Sequence, residues 1–264
     1  MMQVYGADFS GARNPSQGIY FAQGSLTEDS LVIERVVQCD DRLDLFAAIN
    51  SSKSPWGLDF PFSLPASVFQ QLGIKEWKQL LREVVNCSRT GFEHKLKMSQ
   101  IPNCEGRCQR VSDCCRYVDA IISSFSPLKR TNPNMRAMIY GGFKLLSYLR
   151  DFGNVVYPFD EVDHGAARLY EVYPSHTWAK IGLTRRKNLQ EFADEFNKNF
   201  NLKLKLSEEL FHVESLDASD AVVACTTIGY VIFKYGLADW NVQYPWITQK
   251  EWDYRSQEGL IVKL

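Results

Sequence analysis

Gly6-Ala7-Asp8-Phe9-Ser10, near the start of the chain, returns further along as Gly57-Leu58-Asp59-Phe60-Pro61. Each stretch has the residue pattern of a strand that ends on a carboxylate next to a chain-breaking residue. Side chains alternate faces along a strand, so Asp8 shares a face with Gly6, and Asp59 shares one with Gly57. A glycine two positions before each acid leaves room for another backbone or a ligand to come close. Two such strands side by side would bring two carboxylates together. That arrangement calls for a cation, and a carboxylate-held divalent metal is the machinery of phosphate-ester chemistry.

Working outward, residues 2–8, 18–26 and 30–38 read as three strands rich in β-branched and aromatic residues, with short turns that predict an antiparallel meander. Residues 41–50 carry apolar side chains at Leu43, Leu45, Phe46, Ala47 and Ile49, a helical spacing, and the strand bearing Asp59 follows. From Pro65 to Phe152 the pattern is helical, clearest over Glu76–Cys87 and Met135–Phe152, with loops at Ser126-Pro127 and Asn132-Pro133-Asn134. Strand character returns at Val155-Val156-Tyr157 and at Arg168–Tyr173, where Pro174 and Ser175 stop it. Helical patterns follow at Thr177–Ile181 and Leu189–Phe200, then a long helix from near Asp217 to about Tyr235, and Gly259–Val262 supplies a last edge strand. The expectation is an α/β fold: one domain over 1–264, with a mixed five-stranded sheet flanked by helices and a helical insertion at about 65–152.

The chain has 264 residues, 45% of them hydrophobic, enough for a sizeable core. Lys and Arg total 30 against 31 acids, a formal net charge of -1, so no strong basic field advertises a long nucleic-acid duplex. The N-terminus opens into a strand-like run, not a leader pattern, and the apolar stretch Ala221–Phe233 is too short to span a bilayer. A cytoplasmic protein without a membrane partner is expected, and nothing in the sequence sets an oligomeric state. Seven cysteines without a secretory signal read as reduced thiols. Cys104, Cys108, Cys114 and Cys115 cluster in the sequence, but no CxxC knuckle is present. Adjacent cysteines on a helix would point apart, so zinc at Cys104, Cys108 and Cys114 is not expected.

Two further acidic positions join Asp8 and Asp59. Glu171 interrupts the otherwise apolar run Leu169–Tyr173, and Asp217-Ala218-Ser219-Asp220 opens the long helix with two acids near one face of its first turn. Each has a structural alternative. Asp217 and Asp220 suit capping, Asp8 and Asp59 suit turns, and Glu171 suits a charged edge strand. His176 and His212 lie near the candidate ligands in sequence, and Arg13, Arg110 and Arg136 are candidates for gripping phosphates.

The order of these elements matches the ribonuclease-H-like architecture, and the chain resembles the family of predicted nucleases catalogued as domain of unknown function 429. Gly6–Gly11, Gly57–Pro61, Glu171–Pro174 and Asp217–Ala221 carry the resemblance, with Arg110–Asp113, the Ser126-Pro127 loop leading into Met135–Leu149, and Glu258–Ile261 similar to its middle and closing parts. It implies an acidic metal site in which Asp8, Asp59, Glu171 and Asp220, with Asp217 in support, hold two Mg²⁺ or Mn²⁺ ions about 4 Å apart. The substrate would be nucleic acid or a small phosphoester. Two other classes fit the same topology: an ATP-binding phosphotransfer enzyme of the actin and sugar-kinase kind, and a non-catalytic binding module that keeps the acidic pocket.

Overall fold

The computed structural model describes residues 1–11, 18–98, 104–131, 134–161, 165–184, 188–236 and 248–264. The meander forms as the sequence predicts: β1 (Met2–Asp8), β2 (Tyr20–Leu26) and β3 (Ser30–Gln38), antiparallel in turn. Helix α1 (Arg42–Ser52) begins at Asp41, whose carboxylate accepts from the N–H groups of Leu43 and Asp44, and ends at Lys53 in the left-handed region. It returns the chain to β4 (Pro55–Asp59), parallel to β1. The helical block follows as α2 (Ala66–Leu72), α3 (Trp77–Val85), α4 (Arg89–Met98), α5 (Tyr117–Ile122) and α6 (Met135–Asp151). After it come β5 (Val155–Val156), β6 (Arg168–Val172), α7 (Pro174–Lys180), α8 (Leu189–Asn199), β7 (Lys203–Leu206), α9 (Leu216–Tyr235), α10 (Gln249–Arg255) and β8 (Ile261–Val262).

Among the described residues the sheet is mixed and has eight strands, not five, in the order β5-β6-β4-β1-β2-β3-β7, with β8 also on β6. The unpredicted strand is β7, four residues reading Lys-Leu-Lys-Leu that pair in parallel with β3. Its alternation is plain once seen, but four residues are too few to stand out from a loop. β5 and β8 share the outer side of β6, pairing with its first and second halves respectively.

Two apolar cores sandwich the sheet. Ala7, Trp56 and Leu58 face one core with α1, α3 and α6, while Val4, Ala22 and Tyr170 face the other with α8 and α9. Helix α9 is apolar on nearly all sides, the composition of a helix surrounded by protein. Its bounds lie within a residue of the expected helix, but its twenty residues, unlike the shorter run Ala221–Phe233, are long and apolar enough to cross a membrane; 78% of its most apolar window is buried inside the fold. Ser215 caps it by accepting from Ala218 N, and Gly236 ends it at φ +73°.

Candidate functional site

The repeated Gly-x-Asp-Phe motif places each of its residues on a defined face. Gly6 pairs with Gly57 and Asp8 with Asp59 across the parallel β1–β4 ladder, where neighbouring strands lie about 4.8 Å apart. The glycines seat α9. A Cβ on Gly6 would come 2.0 Å from the backbone N of Cys225 and 2.6 Å from the carbonyl of Ala221, and one on Gly57 would meet Ile228 at 2.6 Å. Only glycine lets the helix backbone lie this close. The phenylalanines turn the other way: Phe9 and Phe60 pack 4.7 Å apart, and a Cβ on Gly142 of α6 would sit 2.4 Å from the Phe60 ring. Each carboxylate is therefore held between a glycine under α9 and a phenyl ring pinned against α6. Both leave the sheet on the α9 side at the C-terminal ends of adjacent strands.

The same packing decides which acid of α9 reaches them. Ala221, Cys225 and Ile228 lie over the glycines, so the residue one turn before Ala221 on that face is Asp217. Asp8, Asp59 and Asp217, all half-buried, line one cleft of about 980 Å³ together with Ser10, Gly18, Tyr173 and Ser175. Another wall is formed by the first turn of α6 (Asn134, Met135, Ala137, Met138), Phe125, and Arg89 and Glu93 of α4, whose side chains pair at 3.0 Å. That wall carries the positive end of a helix of 17 residues, with Asn134 accepting from Ala137 N. Among the described residues the three carboxylates do not all come within 4.8 Å of one another at once; they line one shared opening.

Two of the expected ligands stand elsewhere. Glu171 pairs with Leu58, not with Asp59 or Gly57, so strand alternation turns it to the opposite face of the sheet from Asp59. There it is 3% exposed, and both of its oxygens are engaged: Oε2 accepts from Phe62 N and from Nη1 of Arg116, each at 2.8 Å, and Oε1 accepts from Nη2 of Arg116 at 2.5 Å. The same guanidinium donates to both oxygens of Asp119 at 2.8 Å, and Ser124 adds a hydroxyl to Asp119. Burial pushes the Glu171 carboxyl up, and Arg116 pulls it back; burial alone would lower Arg116, but Asp119 and Glu171 hold it protonated. Asp59 and Glu171 both border a 20 Å³ void beneath the cleft, room for about one water. Asp220 accepts from the indole N–H of Trp178 at 2.7 Å and faces that ring. The capping expectation for Asp217 and Asp220 also changes, since Ser215 takes the cap and Asp217 is the helix's second residue.

The cationic candidates scatter. Arg136 is buried, donates to Leu128 O at 2.8 Å, and lines a neighbouring groove of about 370 Å³ with His94, Lys97, Arg130 and the shared Glu93 and Asn134. Arg110 is exposed on the cysteine-bearing segment and is not among the residues lining the cleft; Arg13 lies outside the described residues. His212 is exposed, and His176 is half-buried on α7, where burial, with Lys263 and Lys180 near it, lowers its pKa.

Arg89 and Tyr173 are cleft residues that the sequence reading missed. Tyr173 follows β6 directly, and the chain break at Pro174-Ser175 was the available sign of a strand end opening onto a site. Its hydroxyl accepts from Arg107 Nη1 at 3.1 Å; burial raises its pKa, Asp59 reinforces the rise and Arg107 opposes it.

The segment behind Tyr173 corrects the thiol expectation. Cys108 and Cys115 form a disulfide, and Cys114-Cys115 lie in a tight turn closed by reciprocal Ser112–Cys115 backbone bonds, not on a helix. Burial and a contact with Cys114 push the Cys104 thiol up to about 11. No family model, curated protein or solved structure matches the chain.

Proposed function

We propose that this chain is a ribonuclease-H-like, Mg²⁺- or Mn²⁺-dependent phosphodiesterase whose metal ligands are Asp8, Asp59 and Asp217. The observation that carries the reading is the register of Asp8 against Asp59 at the C-terminal ends of two adjacent parallel strands, with Asp217 delivered to the same cleft by the helix seated on Gly6 and Gly57. Three anions gathered at one opening repel each other, and a divalent cation with oxygen ligands relieves that repulsion. Asp8, Asp59 and Asp217 would hold such an ion or a pair of them, the chemistry of metal-assisted phosphodiester hydrolysis.

The strand order supports the fold assignment: a three-stranded meander, then β4 beside β1 and β6 beside β4, both parallel. The rest of the lining supports the substrate class. The positive end of α6 and Arg89, which also pairs with Glu93 at 3.0 Å, border the same cleft as the acids and would attract a phosphate. Beyond it, the groove with His94, Lys97, Arg130 and Arg136 offers a cationic path for neighbouring phosphates, which favours a phosphodiester chain over an isolated small ester. One ion would activate water and the other would stabilise the leaving oxygen, and the aspartates would act as ligands without moving protons.

The test is Mn²⁺-dependent thermal stabilisation together with hydrolysis of bis(p-nitrophenyl) phosphate and short DNA and RNA strands. Asp8→Asn, Asp59→Asn and Asp217→Asn should each abolish both signals, while Asp220→Asn should retain them. Stabilisation by ATP in place of metal would support phosphotransfer, and a chain indifferent to both would be a binding module.

A further inference from the structure

Residues 104–116, ahead of α5, are tied to their surroundings by scattered single contacts, among them Cys108 N to Ser124 O and Arg107 Nη1 to Ser123 O. Among the described residues from Cys104 to Arg116 there is no helix or extended strand, only the isolated pairings Arg107↔Phe125 and Ser112↔Cys115. This segment nevertheless gathers four of the seven cysteines. Cys104 Sγ lies 3.3 Å from Cys115 Sγ, and the sulfurs of Cys104, Cys114 and Cys115 all fall within 4.8 Å of one another, with Cys108 bonded to Cys115. A single disulfide accounts for two of these residues and leaves the convergence of Cys104 and Cys114 unexplained. Four thiolates on a tetrahedral zinc ion, with Zn–S about 2.3 Å, stand about 3.8 Å from each other, the scale of the spacing seen here.

We infer that Cys104, Cys108, Cys114 and Cys115 form a four-thiolate zinc site that the Cys108–Cys115 disulfide closes and reduction opens. The donor set selects the metal. All-sulfur, four-coordinate sites favour zinc over the hard cations that carboxylates hold, so its metal differs from the one the Asp8–Asp59 cleft would take. In the opening step a dithiol reductant breaks the Cys108–Cys115 bond and leaves as its own disulfide, giving two thiols. Zn²⁺ then replaces the protons of the four thiols. The position of the site gives it a structural task. Arg107, inside the cysteine segment, reaches the Tyr173 hydroxyl and lies 4.8 Å over the Phe125 ring, both of them cleft residues. Arg116, directly after Cys115, anchors Glu171. Metal binding would further fasten the segment that carries both arginines to the wall of the cleft.

The experiment uses the full chain, stripped of metal with a chelator, reduced anaerobically with dithiothreitol and then supplied with Zn²⁺ or Co²⁺. The expected result is one zinc per chain retained through gel filtration, and for Co²⁺ intense sulfur-to-metal charge-transfer absorption with tetrahedral d–d bands. Cys104→Ser and Cys114→Ser, which leave the Cys108–Cys115 pair intact, should lose both signals, whereas Cys87→Ser should keep them. Oxidation of the zinc form with a disulfide reagent should release the metal to a chromophoric chelator. Circular dichroism on each variant separates lost ligation from lost folding, and the wild-type stoichiometry stands whatever the variants do. A reduced wild-type chain that retains no zinc would overturn the inference. So would folded Cys104→Ser and Cys114→Ser chains that bind zinc as the wild type does.

Discussion

Replacing Glu171 with Gln separates a metal ligand from a structural anion. Both Glu171 oxygens only receive hydrogens, from two arms of Arg116 and from Phe62 N. Glutamine keeps one accepting oxygen and turns an NH₂ group toward donors it cannot satisfy. Removing one partner of a buried ion pair costs about 3–5 kcal/mol, of which unmatched donors account for about 1–3. The change also relieves the repulsion between Glu171 and Asp119, so the lower end, about 3 kcal/mol, is expected. For 264 residues the unfolding entropy at the midpoint is about 0.55 kcal/mol per kelvin, which converts that loss to a fall in Tm of about 5 °C. Urea titration followed by tryptophan fluorescence, and thermal melts with and without Mn²⁺, read both quantities on one sample. The Mn²⁺-induced rise in Tm should survive in Glu171→Gln. A variant as stable as the wild type that no longer responds to Mn²⁺ would refute the structural assignment and return Glu171 to the metal site.

Gly6→Ala puts a methyl 2.0 Å from the Cys225 backbone N, so α9 must retreat; a loss of about 3 kcal/mol is expected in urea titration, with a weaker Mn²⁺ response because Asp217 travels with the helix. Asp220→Ala removes the acceptor of the Trp178 indole and should cost about 1 kcal/mol, while Asp220→Asn keeps an accepting oxygen and should cost less; equal losses would count against the Trp178 contact as the reason for the acid. His176 supplies a pH test. Burial holds its pKa below the ordinary 6.5, so the folded chain binds this proton less readily than the unfolded chain. Its contribution is complete above 6.5 and is lost as pH falls through the lowered folded value. Urea midpoints measured across that window should fall less steeply with pH in His176→Gln than in the wild type.

The meander and α9 were legible because period-two alternation and a continuous apolar run are local properties, and their observed bounds lie within a few residues of the reading. The pairing of Asp8 with Asp59 was legible for the same reason, since the motif repeats its own spacing. Glu171 was not, because the face it takes depends on which residue of β4 it pairs with, and a shift of one position moves a side chain through the sheet. The choice of Asp217 over Asp220 likewise depends on where α9 rests, which the glycines decide from another part of the chain. The cysteine cluster was hidden differently. A turn at Ser112–Cys115 gathers the sulfurs, and the spacing of the four residues resembles no standard knuckle.

Asp59 sits on the α9 face at the end of β4, and the buried Arg116–Glu171–Asp119 cluster lies behind it on the other face, across a void with room for about one water. The segment ahead of α5 therefore reaches the cleft through Arg116, which donates to Glu171, and through Arg107, which donates to the Tyr173 hydroxyl. Neither arginine comes from a regular helix or strand; both belong to the cysteine segment or its boundary. A charge buried at the floor of a cleft must be fixed in place, because a guanidinium that drifts leaves two carboxylates unpaired in a poorly solvated space. Covalent closure of the segment by the Cys108–Cys115 disulfide adds to that fixing. The disulfide and the carboxylate cleft are joined mechanically, because Arg107 and Arg116, the residues flanking Cys108 and Cys115, reach the wall and the floor of the opening that Asp8, Asp59 and Asp217 line.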